Sequence, residues 1–342
     1  MSAAAPAMHS DAAQRAAAGL GLRPGPPNLE VFAATLLDLA KSDRNVVAVT
    51  SDSRGSGKLG PFGVALPAQL IEVGIAEQNL VGVAAGLAAG GKTVFAVSPA
   101  CFLTARALEQ IKTDVAYSDW PVVLVGISAG VSYGALGSTH HSLHDFAALR
   151  AINNLIVMAP ADAGEARAAV LAAASARRPV YLRFGKAPLY GLPSTPDPFA
   201  IGRARRLREG ADAALIATGE TVIHALLAAA HLEASEGIRC RVLSVPTVKP
   251  LDENAILAAA RECAVVVTVE EHLVCGGLGE ACAAVLAQAG IGTRFRIVGI
   301  PDEYTVTGSQ ADIFRHYGIS MEGLAETARG LLRGPGAAAP RA

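Results

Sequence analysis

The sequence predicts an α/β fold of two successive open, mostly parallel sheets flanked by helices. Three observations carry that expectation. Short β-branched runs alternate with segments of helical spacing, the order that builds parallel sheets. A proline-rich break with Pro193, Pro196 and Pro198 divides the alternation into two series. Glycine-rich loops, SDSRGSG (51–57), SYGALGSTHHS (132–142) and CGGLGE (275–280), follow predicted strands.

In the first series, helices are predicted over 29–41, 77–89, 102–117 and 163–176. Strands are predicted over 45–50, 70–73, 93–97, 121–126, 155–158 and 180–184. The second series places strands at 213–217, 240–245, 265–269 and 294–298, with helices near 222–234, 253–261 and 280–289. The resulting divisions are a disordered tail over 1–27, a first domain over 28–190, a linker over 191–208, a second domain over 209–333 and a tail over 334–342. The first segment, rich in Ala, Gly and Pro, lacks the charged start and continuous apolar stretch of a secretion signal.

The composition is 51% hydrophobic and 17% charged with a formal net charge of −1, which gives no electrostatic reason to expect nucleic acid or an anionic membrane as partner. The apolar runs are shorter than the roughly 20 residues of a spanning helix. Five scattered cysteines with no CxxC pair read as reduced, buried thiols of a cytoplasmic protein.

In open α/β sheets, ligands bind at the carboxyl ends of strands, so the first two glycine loops are candidate site segments. The segment IEVGIAEQNLVGVAAGLAAGG (71–91) ends a strand in a tight turn and opens a helix with Glu77. A carboxylate there is either a helix-start residue favoured by the dipole or a partly buried functional acid. Three histidines, at 140, 141 and 144, have the residue type for a metal, but the glycine-rich setting and the missing fourth ligand argue against one.

IEVGIAEQN followed by GVAAGLAAGG resembles the pyrimidine-binding domain of the transketolase family, which includes 1-deoxyxylulose-5-phosphate synthases. The resemblance continues in order through SPACFLTARALEQIKTDVAYS, GSTHHSLHDFAALRAINNLIVMAPAD, RPVYLRFGK, VPTVKPLD and VTVEEHLVCGGLGE, covering roughly residues 29–332. It implies a thiamine diphosphate enzyme in which Glu77 hydrogen-bonds N1′ of the cofactor's aminopyrimidine and so helps it lose its C2 proton. Phe102 matches the aromatic that packs on the pyrimidine, and Asp52 an acid near the cofactor. His140 matches the histidine that faces the reacting carbonyl or hydroxyl. Ser56 and Arg183 match groups that grip a sugar phosphate, with Arg54 and Lys58 as further candidates. Glu270, Glu271 and His272 are expected in a polar network at a subunit contact. GALG stands where many transketolases carry G-E-D-G, and Ser128 stands near a position several relatives fill with histidine, so the substrate hydroxyl pattern is expected to differ.

No GDG motif occurs in the chain. In the family, that motif and a following asparagine bind the metal that bridges the diphosphate. The resemblance therefore implies a separate α-type subunit carrying GDG…N, with Mg2+ bound mainly there, in an α2β2 assembly acting on sugar phosphates. Other activities compatible with the resemblance are the β subunit of a 2-oxoacid or acetoin dehydrogenase, a 1-deoxyxylulose-5-phosphate synthase, and a non-catalytic assembly subunit.

Overall fold

The structure is a computed structural model that describes residues 10–196 and 198–334. Two sheets form its frame. The first contains β1 (Val46–Thr50), β2 (Leu70–Glu72), β3 (Thr93–Pro99), β4 (Val122–Ile127), β5 (Ile156–Met158) and β6 (Val180–Arg183). The second contains β7 (Arg205–Arg208), β8 (Ala213–Ala217) and β9 (Cys240–Ser244). Next along the chain is β10 (Thr247–Lys249), and β11 (Val265–Leu273) and β12 (Arg294–Ile300) complete the second sheet.

The first sheet runs β10-β5-β6-β4-β3-β1-β2 and the second β12-β11-β8-β9-β7. Every pairing is parallel except β10 on β5 and β7 on β9. The central strands are apolar on both faces, as parallel strands covered by helices must be. β1, β4 and β6 are buried at every position.

Apolar clusters fill both faces of each sheet. In the first, Leu80, Ala84 and Leu103 lie on one side, and Phe32, Phe95 and Phe184 on the other. In the second, Leu226, Leu324 and Ile313 lie opposite Ile256, Cys282 and Leu286.

Four expectations change. The predicted tail over 1–27 is ordered from residue 10 onward: Asp11–Gly19 is a helix capped by the Ser10 side chain, and Ala13 and Ala17 are buried against the second domain. The alanine content that read as low-complexity tail is also strong helix propensity, and small side chains allow close packing. Residues 1–9 and 335–342 lie outside the described residues.

The last four residues of the predicted linker form β7, antiparallel to β9. The predicted helix over 102–117 is instead Ala100–Arg106, a break at Ala107, Leu108–Gln110 and a wide π-type turn over Ile111–Tyr117. Cys275 is exposed, unlike the other four cysteines.

The two domains are joined by more than a linker. β10 crosses from the second domain to extend the first sheet. Glu165, buried in the first domain, accepts from Arg205 Nη1 at 2.7 Å and Ser244 Oγ at 2.8 Å in the second.

A second buried cluster brings Glu220, Glu271 and Gln310 together, with Gln310 Nε2 donating to Glu271 at 2.8 Å and Glu220 at 3.3 Å. Close approach here requires Gly130, since a Cβ at that position would meet the Glu271 carboxyl at 2.1 Å.

Burial, and then the neighbouring Glu271 charge, push Glu220 up to about 8 from 4.5. The folded-state value lies above the unfolded one, so the stabilising contribution of neutral Glu220 is complete below about pH 4.5 and is lost as pH rises toward about 8. Glu220→Gln keeps the shape and the neutral state. Urea unfolding is expected to show near-equal stability for variant and native protein at pH 4.5, and a clearly more stable variant at pH 8. Equal stability at both values would mean that Glu220 is ionised in the fold.

Candidate active site

The residues predicted for the site come from successive strand ends of the first sheet. Asp52 and Ser56 follow β1, Glu77 follows β2, and Phe102 follows β3. The loop carrying His140 follows β4, and Arg183 closes β6. Because β6, β4, β3, β1 and β2 are adjacent in that order and parallel, their carboxyl ends form one edge.

The turn before Glu77 depends on Gly74, whose φ of +74° suits glycine. Val73 N–H donates to Thr50 O at 3.0 Å, tying this turn to the end of β1. Glu72, to which the sequence reading gives no role within IEVGIAEQN, accepts from Asp52 N–H at 2.6 Å and Gly74 N–H at 3.0 Å. It thus locks the two loops that present Asp52 and Glu77. Asp52 itself is exposed and has a φ of +52°. Ser56 Oγ donates to Ser53 O at 3.2 Å.

Glu77 is the first residue of the helix Glu77–Ala89 and is 5% exposed. Arg106 Nη1 donates to both of its carboxylate oxygens at 3.1 Å, while the guanidinium carbon lies 4.1 Å from the centre of the Phe102 ring. One planar cation therefore marks where the Glu77 carboxylate and the Phe102 face converge.

His140 packs edge-on against Phe102 at 5.4 Å and against Tyr133 at 5.5 Å, centroid to centroid. Thr139 Oγ1 lies 3.0 Å from His140 Nδ1. The loop is pinned from the second domain: His141 is buried, its Nδ1 is 2.6 Å from Thr305 Oγ1, and its Nε2 is 3.0 Å from Gly134 O. Since a carbonyl only accepts, Nε2 carries the proton and the Thr305 hydroxyl donates to Nδ1. Burial holds His141 below the usual histidine value, which keeps that neutral arrangement.

Lys186 is a site candidate that sequence reasoning misses, because the neighbouring arginine of RFGK is the more obvious anion ligand. Its Nζ sits 4.2 Å above the Tyr133 ring. Burial, and then the nearby Lys58 charge, hold its ammonium below the ordinary lysine value. Lys186 has no carboxylate within ion-pair distance among the described residues; Lys58 pairs with Glu30 at 3.1 Å.

Arg183, at the carboxyl end of β6, is engaged in a buried network. It is 5% exposed, and its Nε donates to Asp145 at 2.8 Å. Nη2 donates to Glu271 O at 2.7 Å and Ser142 O at 3.2 Å. Its side chain is drawn into this buried network within β6, whereas Lys186, three residues on, lies past the strand end.

Glu270, Glu271 and His272 likewise serve a contact inside the chain. Glu270 accepts from Leu278 and Gly279 N–H at 2.7 and 2.8 Å, and Glu271 from Val131 N–H at 2.9 Å. His272 stacks on Phe146 at 5.1 Å. Burial lowers His272 to about 4, with Asp145 opposing. Neutral His272 donates from Nδ1 to Leu273 O and accepts at Nε2 from Ala147 N–H.

Among the described residues, no group of three or more His, Cys, Asp or Glu is placed to hold a metal ion. No described helix is long and apolar enough to cross a membrane.

The assembly described is a two-sheet α/β protein with a buried acid, an aromatic face and a loop histidine at one sheet edge. Residues 26–190 match the transketolase pyrimidine-binding domain, and residues 202–324 match the transketolase C-terminal domain. The chain is 47% identical over 298 residues to one of the subunits of the apulose-4-phosphate transketolase of Phocaeicola vulgatus, covering 87% of this chain and 95% of that one. It is 40% identical over 309 residues to 1-deoxy-D-xylulose-5-phosphate synthase of Thermomicrobium roseum, covering 89% of this chain but 49% of that protein. A solved split-gene transketolase, in the form of an inactive beta4 tetramer, superposes with a TM-score of 0.80 at 36% identity, covering 90% of this chain and 99% of that one. The chain belongs to the transketolase family.

Proposed function

We propose that this chain is the β-type subunit of a split transketolase. It transfers a two-carbon ketol unit between sugar phosphates with thiamine diphosphate, and it works only with a partner subunit. The observation that carries the reading is the convergence of a buried carboxylate, Glu77, and an open aromatic face, Phe102, around one planar nitrogen-bearing group. An aminopyrimidine has the same requirements: a flat face to stack and a ring nitrogen to bond an acid. The donor set therefore fits the cofactor. Bound there, thiamine diphosphate would supply the carbanion-stabilising chemistry of ketol transfer.

This chain's residues have distinct tasks in the reading. Glu77 holds a proton at pyrimidine N1′, Phe102 orients the ring, and Asp52 lies beside the cofactor on the loop that Glu72 fixes. His140, steadied by Phe102 and Tyr133, exchanges a proton with the substrate hydroxyl or carbonyl. The diphosphate and Mg2+ belong to an α-type partner carrying GDG…N, in an α2β2 assembly. The relative from Phocaeicola vulgatus, named for apulose 4-phosphate, supports a ketose phosphate as substrate.

The phosphate end falls to Ser56, Lys58 and Lys186. Two mutually repelling ammonium groups at one loop cluster are eased by an anion between them. Lys186→Met is expected to raise KM for a phosphorylated ketose about tenfold, with kcat changed less than threefold. An unchanged KM would remove Lys186 from the phosphate site.

The whole reading is tested by co-expressing the chain with a GDG…N partner and assaying ketol transfer with thiamine diphosphate and Mg2+. Activity of the pair and none of either chain alone is the expected result. Turnover by this chain alone would refute the split-enzyme reading.

A further inference from the structure

Arg106 ends the helix Ala100–Arg106, one helical turn from Phe102, so its stem can lay the guanidinium over the Phe102 ring. From there Nη1 reaches both oxygens of Glu77. The Arg106 side chain is 49% exposed and the Glu77 side chain 5%. A buried carboxylate is thus satisfied by a cation whose own far side stands in solvent. A guanidinium shares its decisive features with an aminopyrimidine: it is planar, it stacks on aromatic rings, and it carries nitrogen at its edge. Arg106 therefore occupies the ring face and the acid that the cofactor's pyrimidine needs.

We propose that Arg106 sets cofactor affinity by competing with the pyrimidine for Glu77 and Phe102. The inference rests on the thiamine diphosphate reading above. In the free chain Arg106 fills the slot and spares Glu77 the cost of an unpaired buried charge. Binding of the pyrimidine displaces the guanidinium toward solvent. Apparent affinity is reduced by the fraction of molecules in which the slot is open. The reduction is the same factor for thiamine and for thiamine diphosphate, since both must open the same slot, and the diphosphate anchored by the partner subunit supplies the affinity that overcomes it.

The test is calorimetric titration of thiamine diphosphate, and separately of thiamine, into the assembled pair with Mg2+ present. Native protein, Arg106→Met and Arg106→Lys are compared, with thermal unfolding as a check that each variant is folded. Arg106→Met is expected to bind both ligands about tenfold more tightly, as for a slot closed in about nine molecules of ten. Arg106→Lys, which keeps the charge but loses the flat stack, should fall between. If Arg106→Met binds thiamine diphosphate equally or more weakly, Arg106 does not compete and the proposal is wrong. If neither native protein nor variants bind thiamine diphosphate, the functional reading itself fails.

Discussion

Glu77→Gln is expected to lower ketol transfer by the reconstituted pair about a thousandfold, within the range of a lost acid–base group. Glutamine keeps the length and shape of the side chain at the start of the Glu77–Ala89 helix, so folding and assembly should persist. It cannot share a proton with a pyrimidine nitrogen as a carboxyl group does. The loss should fall on kcat, because stacking on Phe102 and anchoring of the diphosphate are untouched. Cofactor binding measured in parallel separates this from simple loss of the cofactor. A variant that keeps more than a tenth of native kcat would show that the buried carboxylate is a helix-start residue paired to Arg106 and nothing more.

Glu77, Phe102 and His140 were legible because each sits in a long, ordered motif beside a glycine turn, and the fold brings all three to the same sheet edge. The strand alternation was legible for a related reason: β1, β3, β4 and β6 are short runs rich in β-branched and other apolar residues. What was missed depends on contacts between distant segments. β10 is a three-residue strand whose partner, β5, lies in the other domain. The helix Asp11–Gly19 is visible only once the surface that buries Ala13 and Ala17 is known. Arg106 escaped notice because its meaning lies in reaching Glu77, a segment away, once the helix has ended at Ala107. In RFGK, the arginine is the obvious anion ligand by type, yet long-range partners, Asp145 and Glu271, draw Arg183 into a buried network while Lys186 lies past the strand end.

That last point makes the second strong prediction. Arg183→Met is expected to cost about 3–5 kcal/mol of stability, the usual consequence of removing one partner from a buried charge network. Asp145 is completely buried and accepts from both Arg183 Nε and Tyr181 Oη at 2.8 Å. Burial pushes the Asp145 carboxyl up, but Arg183, His272 and Tyr181 together hold it below the usual aspartate value. Without Arg183 that charge has no full counter-ion, and the Glu271 carbonyl and carboxylate lose their link to β6. Arg183→Lys should fail almost as badly, because a single ammonium cannot reach Asp145, Ser142 O and Glu271 O while lying over the Phe146 ring. Urea unfolding measures the cost, and limited proteolysis at the interdomain segment reports whether the two sheets have separated. The contrast with Lys186→Met is decisive: that change should alter KM for the phosphorylated substrate and leave the unfolding midpoint in place. Should Arg183→Met instead stay within about 1 kcal/mol of native stability and raise KM, the phosphate role expected from its residue type would be restored, because a side chain that the fold does not need must be serving the ligand.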